Sequence, residues 1–168
     1  RNSWSFYYVY FCCSFRRWRL ASYKILYKKF DSLSRKEIHD LFLLRSEVFV
    51  VEQNCVYQDI DGRDEKGEHA LVKKNNKIIA YARVLEDRVS NNISIGRIVV
   101  SKKERGNSLG SDLLDFILKK IHEEKPKRTI KISAQAHLEK FYTDRGFKRT
   151  SNTYMEDGIP HISMTHVR

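Results

Sequence analysis

Proline is scarce in this sequence, confined to Pro126 and Pro160, and glycine occurs only seven times in 168 residues. Low-complexity linkers and internal repeats are absent as well, so nothing divides the chain into separate domains. Cysteine is limited to Cys12, Cys13 and Cys55. No C-x-x-C pair occurs, two adjacent thiols chelate awkwardly, and the count is odd. A zinc site or disulfide framework is therefore disfavoured, and a reducing, cytoplasmic setting fits. The first 30 residues contain no acid, and they hold seven of the eleven net positive charges. Only four are left for the rest of the chain, which argues against a nucleic-acid-binding face on the folded domain. Long hydrophobic runs are missing too. WSFYYVYFCCSF at residues 4–15 is shorter than the ~20 residues a helix needs to cross hydrocarbon, so stable membrane insertion is not expected. This stretch, which meets Arg16-Arg17-Trp18-Arg19, reads as translated non-native sequence, a truncated signal or anchor, or an interfacial segment, the first being preferred. Residues 1–21 are thus set apart as a non-native or disordered leader, and residues 22–168 as the domain.

What is present describes a globular domain long enough to bury a core, with 41% apolar and 32% charged residues. Tyr23–Phe30 reads as a strand. Ser34 and Glu37 form a capping box that starts a helix with Ile38, Leu41, Phe42, Val48 and Phe49 on its apolar face. The acid- and glycine-rich stretch 54–67 is a loop. Strands follow at 68–74 and 77–86, joined by Asn75-Asn76, a pair suited to a type I′ turn. After a turn at 88–92, the β-branched run 93–100 is a strand. Leu109, Leu113, Phe116, Ile117 and Ile121 recur at helical spacing until Pro126. Residues 129–135 form a strand and 137–145 a helix closed by Gly146. Phe147–Arg149 and 159–166 make a last pair of strands. In this α/β order, only 93–100 and 129–135 need be parallel, through the helix between them.

The loop SKKERGNSLGSDL (residues 101–113) sits between a strand and a helix start, where unpaired amides and a partial positive charge suit an anion. It lacks the Gly-Lys-Ser/Thr ending of a Walker A loop, and Ser108 stands where the dinucleotide fingerprint needs its second glycine. A tight turn remains the structural alternative. Asp59, Asp61 and Asp64 around Gly62 do not keep calcium-loop spacing, so no metal is expected, and they read as solvated turn acids. Cys55 reads as a small core filler rather than a nucleophile.

The run Arg105, Gly106, Asn107, Ser108, Leu109, Gly110 resembles the coenzyme A loop of the GNAT superfamily of N-acetyltransferases. The string His137-Leu138-Glu139-Lys140-Phe141-Tyr142-Thr143-Asp144-Arg145-Gly146-Phe147 resembles that superfamily's second motif. Three further strings, residues 50–55, 57–62 and 156–161, together with Ala134-Gln135-Ala136-His137, are similar to its ElaA branch. The resemblance covers roughly residues 33–166. The chain departs from it at Ser108, where a glycine is common, and at Gln135, where asparagine is frequent. A residue in the right-handed α region at 108 would need no glycine.

The resemblance implies a GNAT fold: a mixed, mostly antiparallel sheet splayed between its fourth and fifth strands, with helices on both faces. It further implies acetyl-CoA as co-substrate in the gap, and transfer of its acetyl group to the amine of a small molecule or peptide. The main chain of Ile98, Val99 and Val100 would pair with the pantetheine, aided by a bulge at Gly96. The amides of Gly106 to Ser111 would hold the pyrophosphate, with Arg105 adding charge, and Gln135 and Phe141 would complete the donor site. Tyr142 would protonate the leaving thiolate or hydrogen-bond to it. Glu52, His161 and His137 are the candidate bases; Glu52, beside apolar surface, is expected to have a raised pKa, and imidazole suits the task intrinsically. The loop acids at 59–64 would attract a cationic acceptor. A non-catalytic acyl-CoA-binding module of the same fold is the alternative, and a membrane-surface or nucleic-acid role for the basic leader is a third. Monomer and homodimer both remain open.

Overall fold

A computed structural model describes residues 23–166, and the proposed leader lies outside those residues. Eight strands, β1 (Lys24–Lys29), β2 (Glu68–Lys74), β3 (Lys77–Asp87), β4 (Asn92–Val100), β5 (Thr129–Gln135), β6 (Lys148–Arg149), β7 (Tyr154–Glu156) and β8 (Ile159–His166), make one sheet. Its order is β1-β2-β3-β4-β5-β8-β6, and β7 also pairs with β8. Every pairing is antiparallel except β4 with β5. The GNAT fold expected from the sequence is the fold observed.

The local signals act as their chemistry demands. Ser34 and Glu37 exchange side-chain-to-amide bonds of 3.2 and 2.9 Å, opening α1 (Arg35–Arg45). Asn75 and Asn76 both take positive φ, 50° and 61°, turning β2 into β3. Helix α2 (Leu109–Glu124) buries Leu109, Leu113, Leu114, Ile117, Leu118 and Ile121. The short α3 (Glu139–Thr143) carries Tyr142, and Gly146 follows it at φ +83°. A Cβ at Gly146 would stand 3.0 Å from the His166 ring, so both backbone and space require glycine there.

Two differences from the sequence reading concern helix ends and the last hairpin. Val48 and Phe49 belong not to α1 but to its continuation, Ser46–Glu52. There the bonds widen to i→i+5, as Gln53 N to Val48 O and Cys55 N to Val50 O show. Such π turns cluster at functional places. And β7, Tyr154–Glu156, was not anticipated; it forms a hairpin with β8 over Asp157 and Gly158, both at positive φ.

The core has two layers. On one face α1 packs Leu41 and Leu44, and its continuation Val48, on Leu26, Leu71, Tyr81 and Val99. On the other, α2 and α3 cover Ala70, Val84, Ile93, Ile130, Ile132, Ile162 and Met164. Among the described residues the α1 layer draws on β1 to β4 alone, so on that face β5, β8 and β7 carry no helix of the described chain. Among the described residues no helix is long and apolar enough to cross a membrane.

Candidate active site

β4 and β5 pair only where Asn92, Ile93 and Ser94 face Thr129, Ile130 and Lys131. Beyond that joint β5 continues with β8, and β4 keeps β3 on its other edge. Among the described residues its main-chain groups past Ser94 therefore have no strand partner on the side facing β5. A bulge adds to the divergence. Tyr81 pairs with Val99 and Arg83 with Gly96, so Arg97 and Ile98 together oppose Ala82. The left-handed residue of this bulge is Arg97, at φ +54°, rather than Gly96. Extra residues of this kind bend and twist a strand.

The gap is a cleft of about 870 Å³. Its lining includes Ile98, Val99, Val100, Arg105, Gly110, Gln135 and Phe141 from the expected donor site, and Tyr142, Glu52, His161 and His137 from the expected chemistry. Gly106, Asn107, Ser108, Leu109 and Ser111 do not line it. Leu109 is core.

At the far end of β4 the chain reaches α2 through Gly106 at φ +78° and Ser108 at φ +60°. Ser108 is left-handed, which corrects the expectation of a right-handed residue there. A hydroxyl residue tolerates this region at some cost, and alternation of this kind turns successive amides to one side, as in anion-binding nests. No side chain caps α2, and its first N–H groups remain without helical partners. At Gly110 an added Cβ would meet Val100 Cγ2 at 3.6 Å and Phe141 Cζ at 3.9 Å. Gly110 thus keeps the floor of the cleft open against two walls. An extended ligand with a strand-like middle and an anionic end fits a free strand edge that leads to an uncapped helix start.

Tyr142 is buried, in edge contact with the rings of Phe141 (5.0 Å) and Phe147 (5.7 Å). Burial pushes its phenol up to about 12, with the Arg145 charge opposing. His161 Nδ1 lies 2.8 Å from Ile159 O. A carbonyl only accepts, so Nδ1 donates and Nε2 of a neutral ring keeps its lone pair. Gln135 reaches across to Gln53 at 3.4 Å.

Three expectations about charge are overturned. Glu52 forms a two-pronged pair with Arg105, at 2.6 and 3.0 Å. That bond holds its carboxyl below the ordinary value, not above it. Arg105 is equally occupied, its Nε donating to Val100 O at 3.1 Å. The loop acids are not solvated either. Asp59 and Asp64 are buried with the fully buried Arg45, whose Nε and Nη1 meet them at 2.8 and 2.6 Å. Arg83 clasps Asp61 at 2.7 Å and touches Asp64 at 3.0 Å, and Arg97 meets Asp59 at 2.7 Å. Bonding to Arg83 holds Asp61 far below its usual range, against the effect of burial. Three aspartates and three arginines cancel, so Asp59, Asp61 and Asp64 are already engaged and do not stand ready to draw a cation. No signal in the sequence linked these acids to their distant arginines. Cys55, finally, is not core: it lines the cleft half-buried, its thiol 3.2 Å from Asp157 O. Among the described residues no group of three metal-ligating side chains occurs.

A mixed sheet split at one parallel pair, a bulged strand beside the split and a glycine-bearing helix start at its end make up the fold of the GNAT acetyltransferases. The chain belongs to that family: the model of the acetyltransferase (GNAT) domain matches residues 31–167. Within it the chain falls in the ElaA branch. Protein ElaA of Escherichia coli is 44% identical over 137 residues, covering 80% of this chain and 90% of that protein. Its crystal structure superposes with a TM-score of 0.81 at 39% identity, over 86% of this chain and 99% of that one. An acyl-CoA N-acyltransferase from Pseudomonas aeruginosa gives 0.80 at 37% identity, over 85% and 99%. An aminoglycoside 6'-N-acetyltransferase complexed with coenzyme A shares the fold alone, with a TM-score of 0.64 at 14% identity over 83% and 94%.

Proposed function

We propose that this acetyltransferase moves an acetyl group from acetyl-CoA to a primary amine of a small molecule or peptide, by direct attack on the thioester. The observation that carries the reading is continuity. One free strand edge, Ile98 to Val100, runs into the uncapped start of α2 inside the cleft that also holds Tyr142. The strand edge suits the amide-bearing pantetheine, and the amides of Gly106 to Ser111 suit the pyrophosphate. A bulge N–H would face the thioester oxygen as it gains charge.

The amine nitrogen bonds to the acyl carbon and the carbon–sulfur bond breaks, so the amine loses a proton and the thiolate needs one. A phenol near 12 would give its proton to a thiolate whose conjugate thiol has a pKa of ~8.5 only uphill, by roughly 5 kcal/mol. Tyr142 therefore stabilises the departing sulfur by donating a hydrogen bond, and bulk water completes the protonation. For the amine's proton, the free Nε2 of His161 is the best-placed acceptor on geometry. Glu52, locked to Arg105, is better suited to bracing the cleft than to proton removal. His137 lines the same cleft from the 3-10 turn, Ala136–Leu138, that precedes α3.

The test is thermal. Coenzyme A should raise the melting temperature by mass action, and ATP or NAD at the same concentration should raise it much less. Gly110→Val should fold yet lose the shift, because the branched side chain would crowd Val100 and Phe141 and fill the floor of the cleft. An equal shift with ATP, or a normal coenzyme A shift in the variant, would remove the donor-site assignment.

A further inference from the structure

The two walls of the cleft differ in what they leave unpaired. On the α1 and β3–β4 wall every lining carboxylate is already committed: Glu52 to Arg105, and Asp61 to Arg83 and Arg97. A cation entering there would have to displace an arginine. The opposite wall is the face of β5, β8 and β7 that no helix covers among the described residues. Register puts Ser133 beside Ser163, Gln135 beside His161, and Tyr154 beside His161. The buried partners Ile132, Ala134, Ile162 and Met164 point the other way. The uncovered face is therefore polar, which suits a hydrophilic ligand better than a protein interface core.

On this wall the lining acids are Glu156 and Asp157, and Glu156 is the one whose carboxylate accepts a side-chain hydrogen bond. Its Oε2 accepts from Ser133 Oγ at 2.6 Å, and that hydroxyl is also 2.7 Å from Tyr154 OH. The Tyr154 ring is stacked over His161. The carboxylate is thus oriented by a hydroxyl chain, yet among the described residues no cation lies within ion-pair distance of it. Arg63, an exposed cation of the lining, belongs to the other wall and gives its amide to Asp61. Before attack the acceptor amine is an ammonium ion, and Glu156 faces the same cleft as His161 and Tyr142.

We infer that Glu156, held by Ser133 and Tyr154, is the acceptor's ammonium anchor, and that the acceptor is a hydrophilic primary amine received on the β5–β8–β7 wall. Attraction by Glu156 brings the ammonium beside the His161 imidazole, which takes its proton. The cation attraction expected of the loop at 59–64 is thereby reassigned to β7. This inference rests on the donor-site reading given under Proposed function.

The experiment uses the full chain and two sets of coenzyme A thioethers, one ending in a primary ammonium on alkyl linkers of increasing length, the other in the uncharged alkyl chain. Calorimetry at low salt should find the best ammonium analogue bound about tenfold tighter than its uncharged match, as for a charged hydrogen bond, with the gap narrowing in salt. Glu156→Gln, on the exposed rim, should remove that preference and leave the uncharged analogue's affinity unchanged. A preference that survives in Glu156→Gln, or no preference in the natural protein at any linker length, would overturn the anchor while leaving the donor site standing. Failure of both sets to bind would instead overturn the donor reading, and the anchor with it.

Discussion

Arg97 Nε lies 2.7 Å from Asp59 Oδ1, while the backbone of Arg97 is itself left-handed at φ +54°. A residue with a Cβ in that region costs on the order of 1–2 kcal/mol, and such strain persists where the surroundings over-determine it. Here the surroundings are Asp59, Asp61 and the Tyr57 ring, which lies 5.6 Å below the guanidinium. The bulge that turns the β4 edge toward the cleft is thus tied to the 54–67 loop. Arg45 anchors that loop to α1.

Removing Arg45 would leave Asp59 and Asp64 buried with less compensation. Arg45→Met keeps the volume and loses the charge, and it should destabilise the fold by about 3–5 kcal/mol, the usual cost of breaking a buried pair from one side. Urea unfolding measures this directly. A loss below roughly 1 kcal/mol, within the range of exposed pairs, would show that the network is not bearing on stability.

Tyr142→Phe keeps the ring contacts with Phe141 and Phe147 and removes one hydroxyl. With any amine the enzyme accepts, kcat should fall by roughly 10²-fold, with little change in coenzyme A affinity. Because burial places the phenol near 12, it remains protonated across any practical assay range. The defect should therefore persist as pH rises. A defect that fades toward roughly pH 9, near the thiol's own range, would mean net proton transfer and contradict the hydrogen-bond role.

His69 should make stability depend on mild acid. Its Nε2 faces Asp64 O at 3.0 Å and must donate, so Nδ1 accepts from Tyr81 OH at 2.8 Å. Burial lowers its pKa, and so does the neighbouring Arg45 and Arg83 charge, against a raising effect from Asp64. Below ~6.5 the unfolded chain binds a proton that the folded ring resists, so stability falls as pH falls through that window. His166, lowered by burial and by His122, acts in the same direction. Urea midpoints stepped down from about pH 7 to pH 5 should drop, and His69→Gln should flatten the slope without abolishing it. Identical slopes would show that His69 titrates as it does when unfolded.

Where a few neighbouring residues decide the outcome, the sequence was sufficient. The Ser34–Glu37 box, the Asn75-Asn76 turn, the end of α2 before Pro126 and the C′ glycine after α3 all depend on contacts within four residues or so. Arg105 and Gly110 of the first motif and His137, Phe141 and Tyr142 of the second line one cleft, because each motif follows a strand that borders the gap. Sequence reasoning fell short where partners are distant. Asp61 and Arg83 are 22 positions apart, and Glu52 and Arg105 are 53, so their neutralisation has no local signature. β7 escaped notice because Tyr154-Met155-Glu156 has no apolar alternation; its pairing is dictated by β8 across the turn. Ser108 is left-handed because the loop must reverse between β4 and α2, a demand of the whole unit rather than of serine.

The joint between β4 and β5 is three residue pairs long. On the cleft side so narrow a seam lets the two halves of the sheet part, while the core under α2 and α3 runs unbroken beneath both. Substitutions on the cleft-facing side of β7 or β8 stay out of that shared interior. Donor grip and acceptor choice can then diversify separately, and descendants of this architecture could change their clientele by rewriting one short hairpin.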